Sequence, residues 1–453
     1  MTSGATKPPG TTRRTEMFRA LRTRNYRLFA SGQLLTNVGT WMQRIAQDWL
    51  VLEISNSGTA LGLVTALQFL PTVLFGLWGG VLADRSDKRR LLIGVRAAMG
   101  AQSLLLGVLA VTGQAQLWHV YGLAALLGLT TAVEMPTRQS FVVEMVGPDD
   151  LPNAVGLNSA IFNSARIVGP AVAGLLINVV GTGWVFMITA ATSGAVIVGL
   201  LRMRVTDLYR APAPGRGKGQ LRAGLRYVRG RPDLVVLLVL VFVLGTFGLN
   251  FQLTLALMAR QVFHRGAGAY GLLTTCLAVG SLAGALLATV RTRRPRLRFL
   301  LAAAGGFGVL EAVAGLMPTY WSLAPMLVLA GAAALTFTTA CNSTMQMSTV
   351  PAMRGRVMAL YLLAFLGGTP LGAPVIGWVG QHYGPRASIV AGGLACALAA
   401  VAVGLVLARR RGLRLHDLAA GVRHPGASGP RRTADPEPAA PECDRAEPVR
   451  AAR

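Results

Sequence analysis

Twelve apolar blocks, each about 20 residues or longer, follow one another from residue 27 to residue 408. They lie at roughly 27–52, 58–83, 91–112, 117–142, 153–180, 183–203, 233–259, 268–290, 298–317, 321–346, 355–381 and 387–408. A helix of about 20 apolar residues spans a hydrocarbon layer of ~30 Å. Inside lipid only elements that satisfy their own backbone hydrogen bonds survive, which selects helices here. One soluble core cannot hold so many separate blocks. The composition agrees: 53% of the 453 residues are hydrophobic and 14% charged, where a soluble domain has about 45–50% and 25%. An ordinary soluble enzyme, a disordered chain and a collagen-like repeat are excluded. The expected fold is an all-α integral membrane protein with twelve transmembrane helices.

The formal net charge is +26. Such a charge also suits nucleic-acid binding, but the cations sit in alternate loops between the apolar blocks, which is the signature of membrane topology. One set of loops holds Arg13, Arg14, Arg19, Arg22, Arg24 and Arg27, then DRSDKRR at 84–90, the 204–232 segment, RTRRPRLR at 291–298, Arg354 with Arg356, and the tail. The opposite set has only Arg260, Arg265 and Arg386 as cations. Both termini are therefore expected in the cytoplasm of a bacterial cell, with the protein in the inner membrane. No cleavable leader is expected, so the first apolar block targets the chain. Cys276, Cys341 and Cys396 fall in apolar blocks and Cys443 in the tail, with no metal-ligand spacing. No cofactor and no metal are expected.

The Pro/Gly-rich APAPGRGKGQ between basic residues reads as a linker. The expected organisation is a cytoplasmic N-terminal segment at 1–24, a six-helix lobe at 25–203, a cytoplasmic linker at 204–232, a second lobe at 233–410 and a disordered basic tail at 411–453. Within the linker, LRAGLRYVRGR suits a short amphipathic helix on the anionic inner leaflet. An internal repeat supports the division. Gly169–Gly174 (GPAVAG) resembles Gly372–Gly377 (GAPVIG), and Ala60–Leu63 (ALGL) resembles Ala269–Leu272 (AYGL). Two parallel copies imply lobes related by a pseudo-two-fold axis along the membrane normal, a known transporter plan.

The segment after the second block reads GVLADRSDKRR, with Gly80, Asp84, Arg85, Lys88, Arg89 and Arg90. It resembles the G-x-L-a-D-R-x-G-R-K signature of the major facilitator superfamily, a resemblance that covers about residues 17–410. The sequence departs from the signature at Asp87, where the superfamily usually has glycine. The resemblance implies a cytoplasmic latch in which Asp84 faces the start of the eleventh span, near Val357, and the cations pair with Glu144 or lipid phosphates. On the fifth span, Gly156, Ala165, Gly169, Pro170 and Gly174 resemble the antiporter motif of drug exporters, with two glycines replaced by alanine. The bland alternative is ordinary glycine-rich helix packing. The fourth span lacks the arginine motif of many proton-coupled exporters. TWMQRIAQDWLVLE at 40–53, MPTRQSFVVEM at 135–145 and ARIVGPAVAG at 165–174 are similar to the subgroup of the enterobactin exporter and related secretion effectors.

Ionisable groups inside a bilayer cost at least ~2.5–3.5 kcal/mol and call for a partner or a role. Arg44 and Asp48 lie one turn apart, Arg96 near the inner end of the third span, Glu134 in the fourth, Arg166 in the fifth and Glu311 in the ninth. Asp48 and Glu134 are the candidate proton carriers, and Arg166 either holds one of them ionised or binds an anionic substrate. The structural alternative is a set of ion pairs between helices. Arg96 is expected to snorkel, and Glu311 to face the outer vestibule. On helices that line the cavity in this superfamily, Gln33, Asn37, Trp41, Arg44, Asn163, Asn250, Gln252 and Asn342 are candidate substrate contacts. The combined reading is a monomeric, non-enzymatic secondary transporter. It exports a siderophore, antibiotic or other small metabolite by proton antiport, with membrane lipid but no nucleic acid as partner. An importer or uniporter of the same fold remains the alternative. A membrane enzyme lacks the clustered His, Asp or Glu it needs, and a scaffold would work through the tails.

Overall fold

In the computed structural model the described residues are 19–209, 220–289 and 295–410. The first part of the N-terminal segment, the centre of the linker, much of RTRRPRLR and the tail lie outside them. Among the described residues there is no strand. The helices are α1 (Arg24–Ser55), α2 (Gly58–Arg85), α3 (Lys88–Val111), α4 (117–146), α5 (148–180), α6 (Thr182–Leu201), α7 (Gln220–Arg229), α8 (Pro232–Val262), α9 (Ala267–Thr289), α10 (Leu297–Gly315), α11 (Tyr320–Ser348), α12 (Pro351–Tyr383) and α13 (Pro385–Arg410). All but α7 coincide with the twelve apolar blocks. Among the described residues ten helical stretches are long and apolar enough to cross a membrane, and one of them, Leu117–Val180, contains both α4 and α5. The remaining block is α1, whose Gln33, Asn37, Gln43, Arg44, Gln47 and Asp48 make it the most polar. The protein is a multi-pass membrane protein. By internal contacts the chain divides at residue 404, and the architecture is that of the unit Met1–Gly404.

Two details differ from the sequence expectation. A loop is expected between 142 and 153, yet helix continues through it with one non-helical residue, Gly147, at φ 70° and ψ 178°. Glycine adopts that positive φ without strain, and Pro148 starts α5 at a position where no N–H is needed. The Tyr209 ring packs over Gly147, 3.3 Å from where a Cβ would stand, and the Tyr209 backbone N–H donates to Glu144 O at 2.7 Å. The second difference is in α8, which carries two π-turns, Leu244–Gly248 and Met258–Val262. Leu249 N–H reaches back to Leu244 O (3.0 Å), and the Asn250 amide donates to Thr246 O (2.7 Å) and Phe247 O (3.3 Å). Such bulges stand at functional sites more often than chance.

Small residues set the helix pairs, because backbones in lipid approach closely only where side chains are short. In the first half, α2 meets α4 at Gly79 and Gly128, and α3 meets α6 at Gly107 and Gly183. In the second half, α9 meets α11 at Gly280, Gly284 and Gly331, and α10 meets α13 at Gly308 and Gly393. The second pairings repeat the first, one copy later. The repeated sequences also meet each other crosswise. Gly174 of α5 lies against Gly268 and Gly271 of α9, while Gly58 and Gly62 of α2 lie against Ala373 and Gly377 of α12. Each fifth helix thus packs on the second helix of the other copy, as a two-fold relation requires. Both seams lie at the end that carries residues 56–58, 181 and 384. Side chains tie them: Gly58 N–H donates to Gln381 Oε1 (2.7 Å) and Thr275 Oγ1 to Ile167 O (3.1 Å). Arg260 Nε donates to Asn56 Oδ1 (3.2 Å).

Candidate functional site

Positions 33, 37, 41, 44 and 48 fall within about 80° of one another on a helix of 3.6 residues per turn. Gln33, Asn37, Trp41, Arg44 and Asp48 thus form one polar stripe along α1. The stripe divides by depth. Gln33 is 1% exposed and its Nε2 has no hydrogen-bond partner. Asn37, Trp41 and Arg44 are half-buried. At Trp41 the stripe meets α5: Trp41 and Phe162 pack edge to face at 6.2 Å. The Arg44 guanidinium lies 5.2 Å from the Trp41 ring centre and 5.7 Å from that of Phe69. The Arg166 guanidinium lies 5.9 Å from the same Trp41 ring. Two cations therefore share one indole at the join of α1 and α5. Among the described residues neither makes an ion pair within 4.0 Å, and Arg44 Nε has no hydrogen-bond partner.

Asp48 makes no ion pair with Arg44 within 4.0 Å. Its Oδ2 accepts the Tyr270 hydroxyl at 2.7 Å, a bond from the first half to the second. Tyr270 is fully buried and stacks on Trp49 at 6.4 Å. The antiporter-like motif of α5 lies beside this bond and serves two neighbours. Gly169 admits the Trp41 side chain, and Ala165 is buried. Pro170 and Gly174, turned about 100° and 140° from Gly169 around the helix, form the seam with Gly271. Gly156 has open space around it.

Glu134 has different partners from those the sequence suggests. Its Oε1 accepts Arg96 Nη2 at 2.5 Å and Arg138 Nε at 3.0 Å. Arg166 is not among them. Arg96, expected to snorkel, is 4% exposed and held in this triad. Arg138 was legible only as a residue one helical turn after Glu134; that spacing was the available signal.

At the far end from the seams, Lys88 Nζ pairs with Glu144 Oε1 at 2.5 Å. Arg89 donates to Leu200 O (2.7 Å) and Leu201 O (2.9 Å). Asp87 accepts Arg90 N–H at 2.9 Å and caps α3, which explains an acid where the superfamily has glycine. Gly80 is buried, while Arg85 and Arg90 are exposed. Asp84, half-buried, ends α2 beside this group. Three of the remaining cavity candidates make local bonds. Asn163 donates to Ser159 O (2.8 Å), Asn342 accepts Gln346 Nε2 (2.5 Å), and Asn250 holds the α8 break. Gln252 Nε2 is buried without a partner.

The family model described as "Transmembrane secretion effector" matches residues 15–425. The enterobactin exporter EntS of Shigella flexneri is 26% identical over 339 residues, covering 74% of this chain and 80% of that protein. The staphyloferrin A transporter of Staphylococcus aureus is 26% identical over 265 residues, 57% of this chain and 65% of its own length. Among solved structures, a bacterial homologue of the human lysosomal transporter Spinster, inward-facing and unoccupied, superposes with a TM-score of 0.68 at 17% identity. That match covers 87% of this chain and 97% of that one. The POT family transporter PepTSo gives a TM-score of 0.65 at 13% identity, covering 86% and 99%. At such identities the structures speak for the fold alone. With twelve of the described helices falling on the apolar blocks, in two crosswise-packed halves, and the family model matched over residues 15–425, the protein belongs to the transmembrane secretion effector family of the major facilitator superfamily, membrane transporters of small molecules.

Proposed function

We propose that the protein exports a small anionic organic molecule across the bacterial inner membrane in exchange for protons. The observation that carries the substrate class is the pair Arg44 and Arg166 on Trp41. Two guanidinium groups at membrane depth, neither in ion-pair contact with a carboxylate and with only Asp48 one turn away, carry net positive charge that an anion would offset. Guanidinium suits that task, because its planar fork matches carboxylate and similar anions. Trp41 and Phe69 add faces on which an aromatic or planar group can stack. The names of the two relatives, an enterobactin exporter and a staphyloferrin A transporter, support siderophore-like metabolites as the class to try first. Export is supported by the exporter among the relatives and by the α5 motif.

The positive loops support a cytoplasmic position for both termini. On that orientation the glycine seams close the periplasmic side, and the Lys88–Glu144 group lies at the cytoplasmic side. The exchange of lobes about the midplane then alternates the side on which the Arg44–Arg166 site is open. The domain organisation that fits is two lobes, 25–203 and 233–410, joined by the 204–232 segment. Within that segment, α7 lies beside the start of α12, where Gly224 meets Arg356.

The test uses the full chain in liposomes that contain a pH-sensitive dye. The panel contains enterobactin, staphyloferrin A, other carboxylate metabolites and cationic drugs. Anions are expected to move and to drive proton movement the opposite way. Arg44→Gln and Arg166→Gln each remove a charge-assisted contact of about 1.5–3 kcal/mol, so each is expected to weaken apparent anion affinity about 10–100-fold. Transport of cationic drugs with no effect of either substitution rejects the anion reading. Anion flux without proton movement rejects antiport, and counterflow in the inward direction only makes the protein an importer.

A further inference from the structure

Glu311 of α10 is 4% exposed, and its Oε2 is buried without a hydrogen-bond partner. It stands in a cradle made by two absent side chains. A Cβ at Gly392 of α13 would lie 3.2 Å from Glu311 Oε1 and 2.6 Å from the Phe247 carbonyl oxygen. A Cβ at Gly248 of α8 would lie 3.2 Å from Glu311 Oε2, 2.8 Å from Cys396 Sγ and 2.6 Å from the Phe307 ring. The carboxyl group therefore fits between α8 and α13 because both positions are glycine. Gly248 is also the last residue of the first π-turn of α8. A second acceptor at this break, Asn250 Oδ1, is likewise buried without a donor.

The surroundings supply no counter-charge. Cys396 is the titratable group in contact, from α13. On α10 itself the other charge is Arg298, thirteen residues away, and α11, which packs on α10, has no charged residue. The charges of α8 are Asp233 and Arg260 near its ends, and those of α13 are Arg386 at its start and Arg409 and Arg410 at its end. Arg386 is engaged with Pro318 O at 3.3 Å. A bare carboxylate in such a place is costly, and in practice the group takes up a proton instead.

We infer that Glu311 is a proton-binding site of the second half, gated by the π-turn of α8, and that it carries the proton exchanged during transport. Its use in exchange rests on the antiport reading above; the binding site itself does not. The choice follows from electrostatics. A proton on Asp48 raises the positive charge beside Arg44 and helps an anion bind, so proton and anion would travel together. Glu311 lies in the other half and does not share that field. The link is α8, which touches Glu311 on one side and packs against α1 and α2 on the other. With the proton bound, the cradle is dry and α8 sits as observed. When the proton leaves, the carboxylate draws in water, and α8 must part from α13 to admit it.

The first measurement needs no substrate. Infrared spectra of the full chain in lipid nanodiscs, taken against pH, are expected to contain a carboxylic-acid C=O band. Glu311→Gln should remove it and Asp48→Asn should leave it. A band unchanged in E311Q, or no such band in the wild type, overturns the inference. The second measurement is proton movement in the dye-loaded liposomes, driven by enterobactin or whichever panel anion moves. E311Q is expected to keep anion counterflow within threefold and to lose at least tenfold in proton movement, whereas D48N keeps its protons. The reverse pattern overturns the inference. If the wild type moves anions without protons, the antiport reading fails while the infrared band still decides the site. Should E311Q not fold, Gly392→Ala crowds the same cradle and should shift the pH at which the band titrates by at least one unit. An unmoved titration is evidence against the site.

Discussion

Replacing Glu134 with glutamine is expected to unfold a large fraction of the protein. Glu134 Oε1 receives both Arg96 and Arg138. The Arg96 side chain is 5% exposed and that of Glu134 9%, so neither reaches water freely. Removing one partner of a buried pair leaves an uncompensated charge, at a cost of about 3–5 kcal/mol. That is a large share of the 5–15 kcal/mol that holds an ordinary domain together. Arg138 is more exposed, at 17%, and can turn toward water; Arg96 cannot. The expected result is a much lower yield of monodisperse protein and an earlier thermal transition. The double variant Arg96→Gln, Glu134→Gln should recover most of the loss, since it removes both buried charges. The same experiment separates the triad from a proton-carrier role. A Glu134→Gln protein as stable as the wild type, but unable to move protons, would assign Glu134 to coupling instead.

Much of this arrangement was legible in the sequence, and the exceptions share a cause. Eleven of the twelve spans follow from apolar length alone, which is a local property; α1 is the exception. The two seams were foreshadowed by the repeat of Gly169–Gly174 in Gly372–Gly377, because glycines repeated in two copies mark positions where a neighbour comes close. The family resemblance makes Glu144 a candidate partner for the cations after α2, and Lys88 is the one that reaches it. Arg96 was misjudged because its depth suits snorkelling, and its partner is 38 residues away on another helix. Pairing across helices leaves no mark in local spacing. Gln33 and Asn250 are cavity candidates because their helices line the cavity in this superfamily; burial of the first and the bond of the second to the α8 break are side-chain details that helix identity does not carry. The π-turns of α8 are invisible in an apolar run, since such a sequence has no periodicity that an extra residue could disturb. Glu311 was noticed as an acid but not as a site, because its cradle consists of glycines from two other helices.

A bulky side chain in either glycine seam is expected to stop transport without unfolding the halves. Gly62 of α2 stands so close to α12 that a Cβ would lie 3.0 Å from Pro374 Cα. A Cβ at Gly174 of α5 would lie 2.8 Å from Ala267 O and 3.0 Å from Gly268 Cα on α9. The opposing atoms are backbone, so no rotamer change relieves the clash. Overpacking of this kind costs about 1–3 kcal/mol or more, and here the whole cost falls on the sealed conformation, because each glycine faces the other half. A penalty of about 3 kcal/mol shifts a two-state balance roughly a hundredfold. Gly62→Leu and Gly174→Leu should therefore hold the seams apart and reduce substrate flux to background, while thermal stability changes little. Gly→Ala at the same positions should give a smaller, graded loss. A cysteine placed at Tyr270, in a chain whose native cysteines are replaced, reports the opening directly. A membrane-impermeant thiol reagent added outside should label it in the leucine variants and not in their parent. If labelling stays blocked and flux stays normal, the seams are not the seal. If labelling rises equally from both faces, the halves have come apart and the effect is one of stability. Only one-sided labelling with lost flux fits a gate, because it requires that the first and second halves remain folded while the Asp48–Tyr270 contact between them opens to a single side of the membrane.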